Sequence, residues 1–94
     1  MRTAYLVSYD ITDDKRRNAV YRTLLDYGDH VQYSVFICQL TRREKVLLRG
    51  LIEDSINTKH DQVLFLHVGG MESLEKSLEC LGKSWEPPCR VQIA

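Results

Sequence analysis

Asp10 is the residue in this chain whose type and setting most invite chemistry. It closes a β-branched and aromatic run, Thr3 to Asp10, and is followed by Ile11, Thr12, Asp13, Asp14, Lys15, Arg16 and Arg17. A carboxylate fixed where a strand meets solvent is well placed to hold a hard cation. Magnesium takes oxygen ligands and keeps several waters, so one or two carboxylates suffice. A metal there would polarise a phosphate oxygen and acidify a bound water, the ingredients of phosphodiester hydrolysis. Arg16 and Arg17 could hold flanking phosphates. Tyr9 could stack on a base or pack in the core. The competing reading of Asp10 is a cap or turn residue. Asp13 and Asp14 read as helix-start residues rather than ligands. One aspartate per chain makes a thin site, and two copies of Asp10 facing each other across a dimer axis make a better one.

Other constellations are missing. The chain has no P-loop, no G-x-G-x-x-G, no H-E-x-x-H and no G-x-S-x-G, and no Ser/His/Asp set stands out. Its cysteines, Cys38, Cys80 and Cys89, are odd in number and form no C-x-x-C pair, which argues against a disulfide framework or a zinc site. His30, His60 and His67 share no motif. Ser34 reads as a packed strand serine with no base beside it, and Phe36 as core or dimer interface rather than a base platform.

The elements that must position these groups follow from periodicity. Thr3 to Asp10 alternates and is apolar on both faces, as a strand packed on each side would be. A helix is predicted from about Asp13 to Tyr27, with Thr12 or Asp13 as N-cap and Val20, Tyr21, Leu24 and Leu25 as its buried stripe. Gly28 is placed to end it as the C′ residue. His30 to Leu40 carries no turn signal and reads as one long strand, bent at most. A second helix is predicted from Arg42 to Ile56, with Thr41 as N-cap and Val46, Leu47, Leu48, Leu51, Ile52 and Ile56 as a wide apolar face. Gln62 to Val68 is a third strand, broken by Gly69-Gly70. Met71, Leu74, Leu78 and Leu81 mark a short helix ended by Gly82. Residues 82–94, with Trp85 and Pro87-Pro88, read as a stiff tether leading to a weak terminal strand.

The order β-α-β-α-β, a small helix and a last strand predicts one α+β domain over residues 1–94. Two helices cover one sheet face only. The apolar second face predicts a second copy across a two-fold axis, with the terminal strand reaching the partner's sheet edge.

The chain has 13 Lys/Arg and 13 Asp/Glu, so its net charge is zero. Their distribution is uneven, at +3 over residues 1–49 and −3 over residues 50–94. The basic residues group as Lys15, Arg16, Arg17 and Arg22, and as Arg42, Arg43, Lys45 and Arg49. These are either two solvated helix faces or two phosphate-contacting patches on one side of the molecule. No apolar run approaches the ~20 residues of a membrane span, and the N-terminus lacks a signal-peptide layout, so a cytoplasmic protein without membrane contact is expected.

Tyr9-Asp10-Ile11-x-Asp13-Asp14-Lys15-Arg16-Arg17 after a strand, Gly28, and Val31-Gln32-Tyr33-Ser34-Val35-Phe36 together resemble the small CRISPR-associated Cas-two family of the spacer-acquisition machinery. The resemblance implies a ferredoxin-like sandwich: an antiparallel sheet with two helices on one face, and a homodimer with C-terminal strands swapped between subunits; the short extra helix, between Gly70 and Trp85, is outside what it explains. It implies a magnesium- or manganese-dependent endonuclease acting on RNA or double-stranded DNA, partnered by the adaptation integrase of the same system. By position, Asp10 matches the family's metal-binding aspartate. Tyr9, Arg17, Ser34 and Phe36 match positions tied to its active site. The expected site is therefore Asp10, Tyr9 and Ser34 for catalysis, Asp10 for the metal, and Arg16, Arg17, Arg42, Arg43 and Phe36 for nucleic acid. Two alternatives stand beside it: a non-catalytic DNA-binding scaffold dimer of the adaptation complex, and a toxin-type ribonuclease of related fold. A ferredoxin-like sheet needs two strands between the helices, which conflicts with the single run His30 to Leu40.

Overall fold

A computed structural model describes residues 1–85 of the chain. Its elements are β1 (Thr3–Asp10), α1 (Asp14–Tyr27), β2 (Asp29–Gln32), β3 (Val35–Leu40), α2 (Arg42–Ser55), β4 (Gln62–Gly69) and α3 (Met71–Ser77). The four strands form one antiparallel sheet in the order β2-β3-β1-β4. This is the ferredoxin-like arrangement. The terminal strand and the Pro87-Pro88 part of the tether lie outside the described residues. No helix among the described residues is long and apolar enough to cross a membrane.

The helix boundaries follow local chemistry. Asp13 caps α1, its carboxylate accepting the Arg16 N–H at 2.9 Å. Thr41 caps α2 in a capping box, each of Thr41 and Glu44 accepting the other's backbone N–H. The extended strand β4 ends at Gly69, whose φ of +107° lies in a region that favours glycine.

Three expectations are corrected. First, His30 to Leu40 is two strands, not one. Gln32 pairs with Val35, so Tyr33 and Ser34 form a two-residue turn. Hairpins of this length usually need positive φ in glycine or asparagine. Among the described residues no non-glycine has positive φ, and the register instead shifts between His30 and Gln32. An irregularity in β2 takes the place of turn chemistry, and periodicity does not reveal it. Second, Gly28 ends α1 as expected, its N–H donating to the Leu24 carbonyl, but its φ of −160° is extended and not the left-handed conformation of a C′ glycine. Its role is close approach: a methyl group there would sit 2.4 Å from Cys38 Sγ and 2.6 Å from the Ile37 carbonyl oxygen. Third, α2 buries only Leu48 and Ile52, while Val46, Leu47 and Leu51 stay exposed.

The core lies between the sheet and the two long helices. Val7, Tyr9, Phe36, Cys38 and Leu40 from the strands meet Val20, Leu24, Leu48 and Ile52 from the helices. On the opposite sheet face the register places Leu6 beside Leu66 and Ile37, and Ser8 beside Leu64 and Val35. Helix α3 packs against β4 and β1, with Leu74 buried. Leu64 and Leu66 nevertheless remain 57% and 60% exposed.

Candidate active site

β1 delivers two groups of opposite character to its end. Tyr9 points into the core and is 7% exposed. Asp10 alternates to the other face and is exposed. Beyond Asp10 the chain turns through Ile11 and Thr12 to the Asp13 cap. The Tyr33-Ser34 turn abuts this strand end, since the Tyr9 N–H donates to the Ser34 carbonyl at 3.2 Å. Tyr9, Asp10, Ile11, Thr12, Arg17, Tyr33 and Ser34 line an open cleft of about 340 Å³. The fold thus brings Asp10, Tyr9, Ser34 and Arg17 together from β1, the hairpin turn and α1.

The charged groups around this cleft differ in what they already hold. Arg17 Nη1 donates to the Ile11 and Thr12 carbonyls, both at 3.1 Å, and Nη2 to Asp14 Oδ1 at 2.5 Å. That guanidinium therefore braces the turn after Asp10. The Asp14 hydrogen bond holds it above its ordinary pKa against some desolvation, with its charge fixed beside the cleft. Arg16 faces elsewhere. Its Nε and Nη2 donate to Asp61 Oδ2 and Oδ1 at 2.7 and 3.2 Å, tying α1 to the turn before β4. The Arg16 guanidinium is thus engaged by a carboxylate, and Arg16 is not among the residues that line the cleft. Asp13 and Asp14 are a cap and an ion-pair partner. Asp10 differs from all of these: among the described residues no donor reaches its carboxylate.

Burial raises the Tyr9 phenol above the ordinary tyrosine range, Tyr21 and Tyr33 add to the shift, and Arg17 partly opposes it. At neutral pH Tyr9 is a neutral phenol. Its ring lies 6.4 Å from that of Phe36, centroid to centroid, so it packs rather than presenting a face to a base.

Phe36 is core, the reading its strand position gave, and not the nucleic-acid contact that the resemblance implied. It is fully buried, with Tyr9, Tyr21 and His30 around its ring, and it has no surface to offer nucleic acid. Arg42 and Arg43 are exposed, but they are remote from the cleft. They follow Leu40, which pairs with Thr3 at the start of β1, whereas Asp10 is at its end. Eight residues of strand separate the two ends by about 25 Å. The two arginine groups therefore do not form one surface beside Asp10. The sequence reading missed Tyr33, which is 84% exposed at the cleft rim. Its signal would have been an aromatic at a hairpin turn, hidden because the turn itself was not seen.

Asp10 suits a hard divalent cation on its donor chemistry: a free, exposed carboxylate beside backbone carbonyls and a cleft. Among the described residues no group of three or more His, Cys, Asp or Glu converges on a metal site. One chain thus supplies one acidic ligand.

Comparison with known proteins agrees with this geometry. Residues 2–76 match the family model for CRISPR associated protein Cas2. A Rhodospirillum rubrum protein named CRISPR-associated endoribonuclease Cas2 is 40% identical over 83 residues, covering 88% of this chain and 81% of that protein. A Geobacter sulfurreducens protein named CRISPR-associated endoribonuclease Cas2 is 32% identical over 99% of this chain and 98% of its own length. The crystal structure of Streptococcus pyogenes Cas2 superposes with a TM-score of 0.75 at 32% identity, covering 84% of this chain and 99% of that one. A hypothetical protein from Thermus thermophilus gives a TM-score of 0.79 at 33% identity over 94% of this chain and 99% of its own. With the cleft, the sheet order and these likenesses in agreement, the chain belongs to the family of CRISPR-associated protein Cas2.

Proposed function

We propose that this chain is a magnesium-dependent endonuclease of the CRISPR system that hydrolyses phosphodiester bonds, with RNA as its first substrate, and that it works as a homodimer in the cytoplasm. The observation that carries this reading is the free Asp10 carboxylate in a cleft where every neighbouring carboxylate is already engaged. Relatives named as endoribonucleases support the choice of RNA.

The homodimer rests on the sheet. Asp10 shares its face with Leu64 and Leu66, which are 57% and 60% exposed and in register with Ser8 and Leu6. A second copy covering this apolar face aligns the two Asp10 residues and supplies the second carboxylate. Asp10 would hold the magnesium ion, which when bound supplies Lewis-acid polarisation of a phosphate oxygen. Arg17 contributes a fixed positive charge near the scissile phosphate. Tyr33 offers an exposed ring on which a base can stack. Ser34 and Tyr9 fix the strand end beside Asp10 through the Tyr9 N–H that donates to the Ser34 carbonyl.

The test is cleavage of single-stranded RNA and duplex DNA by highly purified protein with magnesium or manganese, with EDTA, and by Asp10→Asn. Cleavage should be lost with EDTA and in Asp10→Asn. Undiminished cleavage by Asp10→Asn overturns the reading.

A second reading is a DNA-binding scaffold working with the adaptation integrase. The exposed Arg42 favours it, since a phosphate held there lies far from the cleft and is not the one being cut. Arg42→Ala should then weaken duplex binding and reduce its salt slope by about one. An unchanged slope counts against it.

A further inference from the structure

The outer face of α2 carries a pattern that neither the cleft nor the sheet face uses. Val46, Leu47 and Leu51 are 64%, 51% and 47% exposed on a helix whose buried side is Leu48 and Ile52. Gly50 lies among them, and a methyl group there would meet no atom within 4 Å. Glycine is, apart from proline, the least favourable residue for a helix interior. Here it opens a hole in an apolar stripe. Arg43 and Asp54 bound the stripe at its two ends. Among the described residues neither has an ion-pair partner, whereas Arg49 and Glu53 on the flank pair with each other at 3.6 Å.

The pattern reads the same in both directions about the middle of the helix, between Leu48 and Arg49. Arg43 mirrors Asp54, Val46 mirrors Leu51, and Leu47 mirrors Gly50. A two-fold axis there sets a second α2 antiparallel to the first. Arg43 then lies level with Asp54 of the second copy, and Leu47 level with its Gly50, where the missing side chain leaves room for a leucine. The contact is isologous, so both ion pairs and both leucine contacts form at once. Helices pack closely where a side chain on one fills a gap on the other.

We propose that α2 is a self-association surface through which a second copy of this chain docks antiparallel. The surface is distinct from the sheet face that carries Asp10, so copies joined at the sheet can be joined again at α2 into larger assemblies. The pairing assigns Arg43 to protein contact. Arg42, turned about 100° around the helix, keeps its side chain for other uses.

The experiment is sedimentation velocity on the full chain over a range of concentrations. Wild type should form species of at least twice the mass of that formed by Leu47→Glu, growing with concentration. Leu47→Glu and Gly50→Leu should each weaken the association about tenfold or more. Arg43→Asp and Asp54→Arg should each weaken it, and the double variant should restore it. All these positions are on the exposed face of α2, and far-UV circular dichroism checks that each variant is folded. Leu66→Glu provides the separate reading of the sheet face: a loss of mass in that variant alone concerns the sheet dimer and leaves the α2 contact in place. Equal masses for wild type and Leu47→Glu overturn the proposal, as does a double charge swap that fails to restore association.

Discussion

Arg16 and Asp61 are joined by two hydrogen bonds, Nε to Oδ2 at 2.7 Å and Nη2 to Oδ1 at 3.2 Å, across 45 residues of chain. Asp61 also accepts the Asn57 N–H at 2.8 Å, so its carboxylate closes the 57–61 turn as well as anchoring α1. The Arg16 hydrogen bond, helped by Asn57, holds the Asp61 pKa below its ordinary value. A depressed carboxylate contributes stability above its unfolded pKa of about 3.9, and that contribution is lost as the pH falls through the folded value. Melting temperature measured from pH 6 down to about 2.5 should therefore fall more steeply in wild type than in Asp61→Asn. Arg16→Ala should melt several degrees below wild type at neutral pH.

Magnesium should stabilise the protein through Asp10. At ten times its dissociation constant, a ligand of the folded state adds about 1.4 kcal/mol. The melting temperature of wild type should rise with magnesium and return on adding EDTA, while Asp10→Asn should not respond. Without metal the two proteins should melt within about a degree of each other, because Asp10 is exposed and holds no donor among the described residues. A magnesium response retained in Asp10→Asn would place the cation elsewhere.

Phe36→Ala should cost about 3–5 kcal/mol in denaturant unfolding, the range for truncating a buried aromatic. Phe36→Leu should keep most of the fold and should bind RNA as wild type does. A specific loss of RNA binding in a well-folded Phe36→Leu would mean that the ring leaves the core on binding.

Gly28→Ala should destabilise by about 1–3 kcal/mol, as an overpacked contact does. The reason is the close approach to Cys38 and the Ile37 carbonyl rather than backbone conformation. Gly28→Ala combined with Cys38→Ala should recover part of the loss, and only part, because the carbonyl clash remains.

Much of this was legible in the sequence. Alternation and helical spacing located β1, α1, α2 and β4 within a residue or two, Thr41 was named as the α2 cap, and the α1 cap was narrowed to Thr12 or Asp13, of which the fold uses Asp13. The cleft residues Tyr9, Asp10, Arg17 and Ser34 were named together through their resemblance to a family. The Tyr33-Ser34 turn was hidden because an irregularity in the strand replaced the glycine that usually marks such a turn. The separation of Arg42 and Arg43 from Asp10 was hidden because it depends on strand pairing, a long-range fact that a local pattern does not carry. The engagement of Arg16 by Asp61 was hidden for a similar reason. Residue type shows what a side chain can do, and only the fold shows what already occupies it.

The last rungs of β1 bear on how this chain can vary in length. Asp10 still pairs with Gln62 on β4, two residues past Ser8 and Val35, the final pair with β3. Because a strand's sides alternate with period two, losing or gaining one residue between Thr3 and Asp10 would turn the carboxylate into the helix layer and put Tyr9 outside. Such a change in β1 would cost the cleft its carboxylate and the core its Tyr9 ring together.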